Sequence, residues 1–226
     1  MIPKHILLIS FVFLMSCLGE ASAQARDLRV LVMGDSMLAW NRASGNSVAD
    51  TIEASPGLEV ADKSVSAARY FYGLPISGSL GLRLSAQFRP GKWDWVVLNG
   101  GGNDLLFGCG CGKCNRMLDR LVSADGRNGA IPDFVANIRK SGAEVLYVGY
   151  LRNPGIPSPI RSCRPAGNEL DRRLAKMAKT RAGVTFMPLS DLVPNGDRSF
   201  HSGDMIHPSV KGSRTIAARI VQRIKK

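Results

Sequence analysis

Apolar residues fall along the chain in two ways: short unbroken runs, and longer stretches where they recur every third or fourth position. Residues 28–33 (Leu-Arg-Val-Leu-Val-Met), 93–98 (Trp-Asp-Trp-Val-Val-Leu), 144–150 and 184–187 are runs of strand length, and 58–65 is a weaker one. Between them the spacing turns helical. Residues 46–54 bring Val48 and Ile52 to one face, with Asn46 or Ser47 as the cap. Residues 131–140 align Phe134, Val135 and Ile138, and residues 167–181 align Leu170, Leu174, Met177 and Ala178. Residues 209–224 set Ile216, Ile220 and Ile224 in register, with Ala217 and Val221 beside them. A short helix is predicted over 115–122 and a helix or irregular connection over 79–88. Residues 151–165 hold four prolines and read as a loop.

Strands that are apolar on both faces and alternate with helices belong to a parallel sheet covered on each side. Five strands joined by right-handed crossovers predict a flavodoxin-like α/β fold, a three-layer α/β/α sandwich around a five-stranded parallel sheet. In such sheets ligands bind beyond the carboxyl ends of the strands, so the residues there carry the most information.

The first 23 residues stand apart. Lys4 and His5 precede an apolar stretch over residues 6–15, and Ala21-Ser22-Ala23 is a small-x-small cleavage site. That layout predicts a signal peptide over residues 1–23, a mature domain over 24–226 and an exported, periplasmic or secreted protein. Leu14-Met15-Ser16-Cys17 also fits a lipid-attachment signal at Cys17, the less favoured route. Cleavage leaves no stretch long enough for a transmembrane helix in the mature protein.

Export changes how the charge is read. The chain has 226 residues and a net charge of +12, and loss of Lys4 and Glu20 leaves that charge unchanged. A nucleic acid partner is not expected outside the cytoplasm; weak attraction to anionic envelope surfaces is. A length of 226 residues suits one domain that folds without a metal or disulfide to complete its core.

Three strand ends carry the candidate chemistry. After the first strand comes Gly34-Asp35-Ser36, which places a serine hydroxyl near a helix N-terminus whose N–H groups are free to meet negative charge. After the 93–98 strand comes Asn99-Gly100-Gly101-Gly102-Asn103-Asp104, where glycines admit close backbone approach and Asn103 offers an amide donor. Near the C-terminus, Asp204 and His207 are spaced to form a carboxylate–imidazole pair. His201, the other histidine of the mature chain, is the alternative base.

The order and spacing of these segments resemble those of the SGNH/GDSL hydrolase family over essentially the whole mature chain. The resemblance implies Ser36 as nucleophile, His207 as base and Asp204 as the acid that orients it. It implies oxyanion donors from the Ser36 N–H, the Asn103 side chain and the N–H of residue 67. Two positions depart from the family pattern: Met37 follows the serine where Leu is common, and Ala67 stands where the family has a glycine. Alanine keeps the N–H, but a positive φ there would favour glycine. The implied activity is hydrolysis of carboxylic esters through an acyl-enzyme, on small acyl esters or O-acetyl groups of cell-envelope carbohydrate. No metal or cofactor is called for, and the metalloprotease, phosphate-loop and dinucleotide motifs are missing from the sequence. An acyltransferase, or a non-catalytic envelope- or polysaccharide-binding protein on the same scaffold, is the alternative.

The mature chain has four cysteines: Cys109, Cys111 and Cys114 directly after the Asn103 block, and Cys163 in the proline-rich loop. Both loops leave one sheet edge, so Cys163 is expected to pair with one of the cluster while the other two pair locally. Four thiolates on zinc is the rival arrangement. Trp40, Tyr70, Phe71, Tyr72 and Phe107 lie in segments near the site, as core residues or as the lining of an acyl or sugar pocket.

Overall fold

The computed structural model describes residues 26–226, so the signal-peptide cleavage site and Cys17 lie outside the described residues. The chain runs β1 (Leu28–Met33), α1 (Ser36–Ala39), α2 (Val48–Glu53), β2 (Leu58–Asp62), α3 (Pro75–Ser77), β3 (Trp95–Leu98), α4 (Gly102–Cys109), α5 (Asn115–Leu121), α6 (Ala130–Arg139), β4 (Glu144–Val148), α7 (Arg164–Lys179), β5 (Val184–Met187) and α8 (Val210–Ile224). All five strands pair in parallel, in the order β2-β1-β3-β4-β5. This is the predicted doubly wound sheet, with its topological switch between β1 and β3.

Alternation along each strand splits the core into two layers. Leu31, Met33, Val96, Leu98, Val145 and Tyr147 face a layer closed by α4, α5, α6 and α7. Val30, Val32, Val97, Leu146 and Val148 face the other, closed by α1, α2 and α8. Helix α8 packs the predicted stripe of Ile216, Ile220 and Ile224 there, each side chain worth about 1.5–3 kcal/mol when buried. Helix α2 starts at a capping box, in which Ser47 Oγ accepts from the Asp50 N–H and the Asp50 carboxylate accepts from the Ser47 N–H.

Several boundaries differ from the sequence reading. Strands β2 and β4 end at Asp62 and Val148, because the chain turns away there to build the site. Residues 79–88 form an irregular turn broken by Gly81 at φ 108°, then one turn of 3-10 helix. Helix α7 begins at Arg164, three residues earlier than its apolar stripe suggests, with Pro165 in the first turn where its missing N–H costs nothing. Helix α4, across the glycine block and the first cysteine, has little apolar periodicity and was not expected.

Candidate active site

The carboxyl ends of β1 and β3 and the segment before α8 meet around one cavity of about 380 Å³. Ser36, Ala67, Asn103 and His207 all line it. Asp204 stands behind His207, its Oδ2 2.6 Å from Nδ1 of the imidazole. Sequence positions 36, 67, 103 and 207 are thus brought to one place, and His201 is not among them. His201 is buried, neither ring nitrogen has a partner among the described residues, and burial lowers its pKa.

Ser36 is the first residue of α1, and its geometry is set by what precedes it. Gly34 is clamped by the buried Gln87 amide: the Gly34 N–H donates to Oε1 at 2.7 Å, and Nε2 donates to the Gly34 carbonyl at 2.9 Å. Asp35 caps the helix, its Oδ1 accepting from the Met37 N–H at 2.9 Å. Its other oxygen accepts from the Tyr150 hydroxyl at 2.5 Å. Burial pushes the Asp35 pKa up to about 6 against the pull of these two hydrogen bonds. The Ser36 N–H has no protein acceptor among the described residues, as expected for a first-turn donor.

Ala67 has φ 65°, the left-handed conformation that the glycine at this place in the family pattern would take without strain. Its N–H also has no protein acceptor among the described residues, while the next residue, Ala68, donates to Val65 O. Alanine here takes the left-handed backbone and keeps its N–H free of protein acceptors among the described residues. The segment is held from behind by the buried Asp104 carboxylate, which accepts from the N–H groups of Tyr70 and Phe71 at 3.0 and 2.9 Å. Asn103 Nδ2 donates to Ala68 O at 3.2 Å and keeps a second N–H.

Four non-glycine residues have positive φ among the described residues: Asn41, Ala67, Cys111 and Met205. Ala67 lines the cavity, Asn41 bonds the loop that carries His207, Cys111 is tied to the cavity-lining Cys163, and Met205 follows Asp204 in the same loop. The glycine block answers a different need. A Cβ on Gly102 would lie 2.6 Å from the Tyr150 ring, and one on Gly100 2.4 Å from Leu84 Cδ1.

Asp204 is partly buried, which works to raise its pKa, but the His207 ring and the N–H groups of Ile206 and His207 outweigh this and hold it below its ordinary value. The Trp40 indole stacks on the His207 imidazole, with centroids 3.7 Å apart and planes 6° apart. Trp40 Nε1 donates to Ser202 Oγ at 3.0 Å, and that hydroxyl donates to Pro208 O at 2.9 Å. Asn41 Nδ2 reaches Pro208 O and Ser213 Oγ at 3.1 and 3.0 Å. Two residues just beyond the serine thus fix the loop that carries the histidine.

Most of the remaining cavity wall is apolar, with Leu106, Phe107, Ile160 and Leu170 prominent, and Arg152, Asn153 and Arg164 add polar groups to it. Trp40 and Phe107 line the cavity, whereas Tyr70 and Phe71 pack against the core. Cys111 pairs with Cys163 and Cys109 with Cys114, so all four sulfurs are in disulfides rather than available to zinc. Cys163 itself lines the cavity, and its disulfide ties the loop after β4 to the one after α4. Two participants were missed from sequence: Tyr150, which joins Asp35 to the Gly102 N–H at 2.9 Å, and Gln87. Tyr150 sits at a strand end, where function is expected; Gln87 carries no such signal.

The profile of the GDSL-like lipase/acylhydrolase family matches residues 32–215, and the chain belongs to that family of ester-cleaving serine hydrolases. No curated protein matches it in sequence. Solved structures share its fold. A protein described as an SGNH hydrolase from Slackia heliotrinireducens is 17% identical, with TM-score 0.62, over 87% of this chain and 98% of that one. Est24, a carbohydrate acetylesterase from Sinorhizobium meliloti, is 19% identical, with TM-score 0.56, over 88% and 99%. An aryl esterase of M. smegmatis is 19% identical, with TM-score 0.54, over 88% and 98%.

Proposed function

We propose that the protein is an exported serine esterase in which Ser36, His207 and Asp204 form the catalytic triad. The observation that carries this reading is the His207–Asp204 pair at 2.6 Å, opening on the cavity that Ser36 lines. With Nδ1 committed to Asp204, Nε2 is the nitrogen that takes the serine proton as Oγ attacks an ester carbonyl. Asp204, held ionised, then stabilises the imidazolium. Charge moves onto the carbonyl oxygen, where the Ser36 and Ala67 N–H groups and the free N–H of Asn103 receive it. Removing one such donor costs about 2.7–4 kcal/mol of transition-state stabilisation. Return of the proton from His207 to the alcohol releases it and leaves an acyl-enzyme. Water activated by the same nitrogen then frees the acid.

The substrate is a carboxylic ester, either a small acyl ester or an O-acetyl group on cell-envelope carbohydrate. The largely apolar wall suits the acyl side, and the carbohydrate acetylesterase among the structural neighbours supports the second class. Two disulfides fit an oxidising compartment, which supports export. Among the described residues no helix is long and apolar enough to cross a membrane.

Turnover of p-nitrophenyl acetate by the mature protein tests the triad. Ser36→Ala is expected to lower kcat by at least about 10³-fold; equal rates in the two proteins rule the reading out. Acetate release from an O-acetylated polysaccharide then decides between the substrate classes.

A further inference from the structure

Among the described residues, three of the four most exposed large apolar side chains lie in one turn. Leu74, Ile76 and Leu80 are 65, 79 and 76% exposed, and the fourth, Phe107, is 60% exposed on the rim of the cavity. One guanidinium links the two groups: Arg69 lies over the Tyr72 ring at 5.0 Å and over the Phe107 ring at 5.1 Å. Tyr72 in turn anchors the turn, its hydroxyl 3.0 Å from Ser77 Oγ and its carbonyl accepting from Arg83. The aliphatic turn therefore stands beside the cavity mouth.

The surroundings are cationic. Residues 63–88, after Asp62, contain Lys63, Arg69 and Arg83 and no acidic residue; residues 105–118, between Asp104 and Asp119, begin with the cavity-lining Leu105, Leu106 and Phe107 and contain Lys113 and Arg116 and no acid. Among the described residues none of these five cations is in a salt bridge. Exposed aliphatic side chains in a segment whose only charged side chains are Lys and Arg suit the interfacial zone of an anionic bilayer, where apolar groups enter the acyl boundary and cations meet headgroups. A second copy of the chain fits poorly, because pairing would set like charges face to face on molecules of charge +12. A glycan fits poorly too, since the side chains exposed on the turn are aliphatic and offer no aromatic face for a sugar to stack on.

We infer that the turn of Leu74, Ile76 and Leu80 docks the cavity mouth onto an anionic lipid surface, so that the site works on esters presented there. This rests on the proposed function only in taking the cavity as the place where esters bind.

Vesicle co-sedimentation of the mature protein tests it, with phosphatidylglycerol/phosphatidylcholine vesicles against phosphatidylcholine alone. Expected are at least about tenfold stronger binding to the anionic vesicles, and weakening in high salt. The Leu74→Ser/Ile76→Ser/Leu80→Ser variant is expected to bind at least about tenfold more weakly while hydrolysing soluble p-nitrophenyl acetate at the wild-type rate. Equal binding by the variant and the wild type overturns the inference, as does no binding to either vesicle. A dimer in sedimentation velocity that the triple variant abolishes, without vesicle binding, assigns the turn to a second copy instead. Ser36→Ala is expected to bind vesicles like the wild type, so a failed esterase reading and a failed docking reading give different results.

Discussion

Replacing the Cys111–Cys163 disulfide with two alanines should be the costlier of the two possible disulfide deletions. Its half-cystines are 52 residues apart, against 5 for Cys109–Cys114. If a cross-link acts by restricting the unfolded chain, the loss grows with the logarithm of loop length: about 4 kcal/mol for the long loop and about 2 kcal/mol for the short one. For a domain of this size each kcal/mol shifts Tm by about 2–4 °C, so the long-loop deletion should lower Tm by roughly 8–16 °C. Guanidinium and thermal unfolding under non-reducing conditions measure both variants against the wild type. The deletion also frees one cavity wall, so KM for longer acyl esters should rise more than kcat falls. A loss no larger for Cys111→Ala/Cys163→Ala than for Cys109→Ala/Cys114→Ala would refute the reasoning, because loop length would then not set the cost.

Asp35 should make stability depend on pH. Its folded pKa of about 6 lies above the ordinary 3.8, so between those values the native state holds more protons than the unfolded one. The stabilisation is complete below about pH 3.8 and is lost as pH rises through 6, a span of about 3 kcal/mol; denaturant melts at pH 4 and pH 7 should show this difference shrinking in Asp35→Asn. Ala67→Gly removes the penalty of a left-handed alanine, about 1–2 kcal/mol, partly offset by the freer unfolded glycine, so its melting midpoint should equal or exceed the wild type with activity kept. Ala67→Val at the same place should lower both. Trp40→Ala should cut kcat about tenfold, and Trp40→Phe should restore most of it, since the ring that lines the cavity also positions His207 by stacking on it; an undiminished kcat in Trp40→Ala would remove that role.

The sheet was legible because its strands are buried on both faces and so read as unbroken apolar runs; Val96, Val97 and Leu98 alone nearly specify β3. Helices with one buried stripe, such as α8, were equally plain. Helix α4 was not, because Gly102, Asn103 and Asp104 in its first turn are chosen for the cavity and for bracing residues 70 and 71, not for a core face. The serine, histidine and aspartate stood out by type and spacing. Their supports did not: Gln87 holds Gly34, and Trp40 covers His207, through contacts spanning 53 and 167 residues of sequence that no local pattern records. The pairing of Cys163 was narrowed to one sheet edge by topology, but the choice of Cys111 depends on the left-handed turn at that residue.

Trp40 and Asn41 fasten themselves to a loop that the ribosome makes more than 150 residues later. A nascent chain lacking that loop lacks the proposed base His207 and the groups on Ser202, Pro208 and Ser213 that Trp40 and Asn41 bond. On the proposed mechanism, hydrolytic competence arrives only once the segment carrying His207 has been synthesised and docked, and a polypeptide without its last thirty residues is expected to be inert rather than partly active.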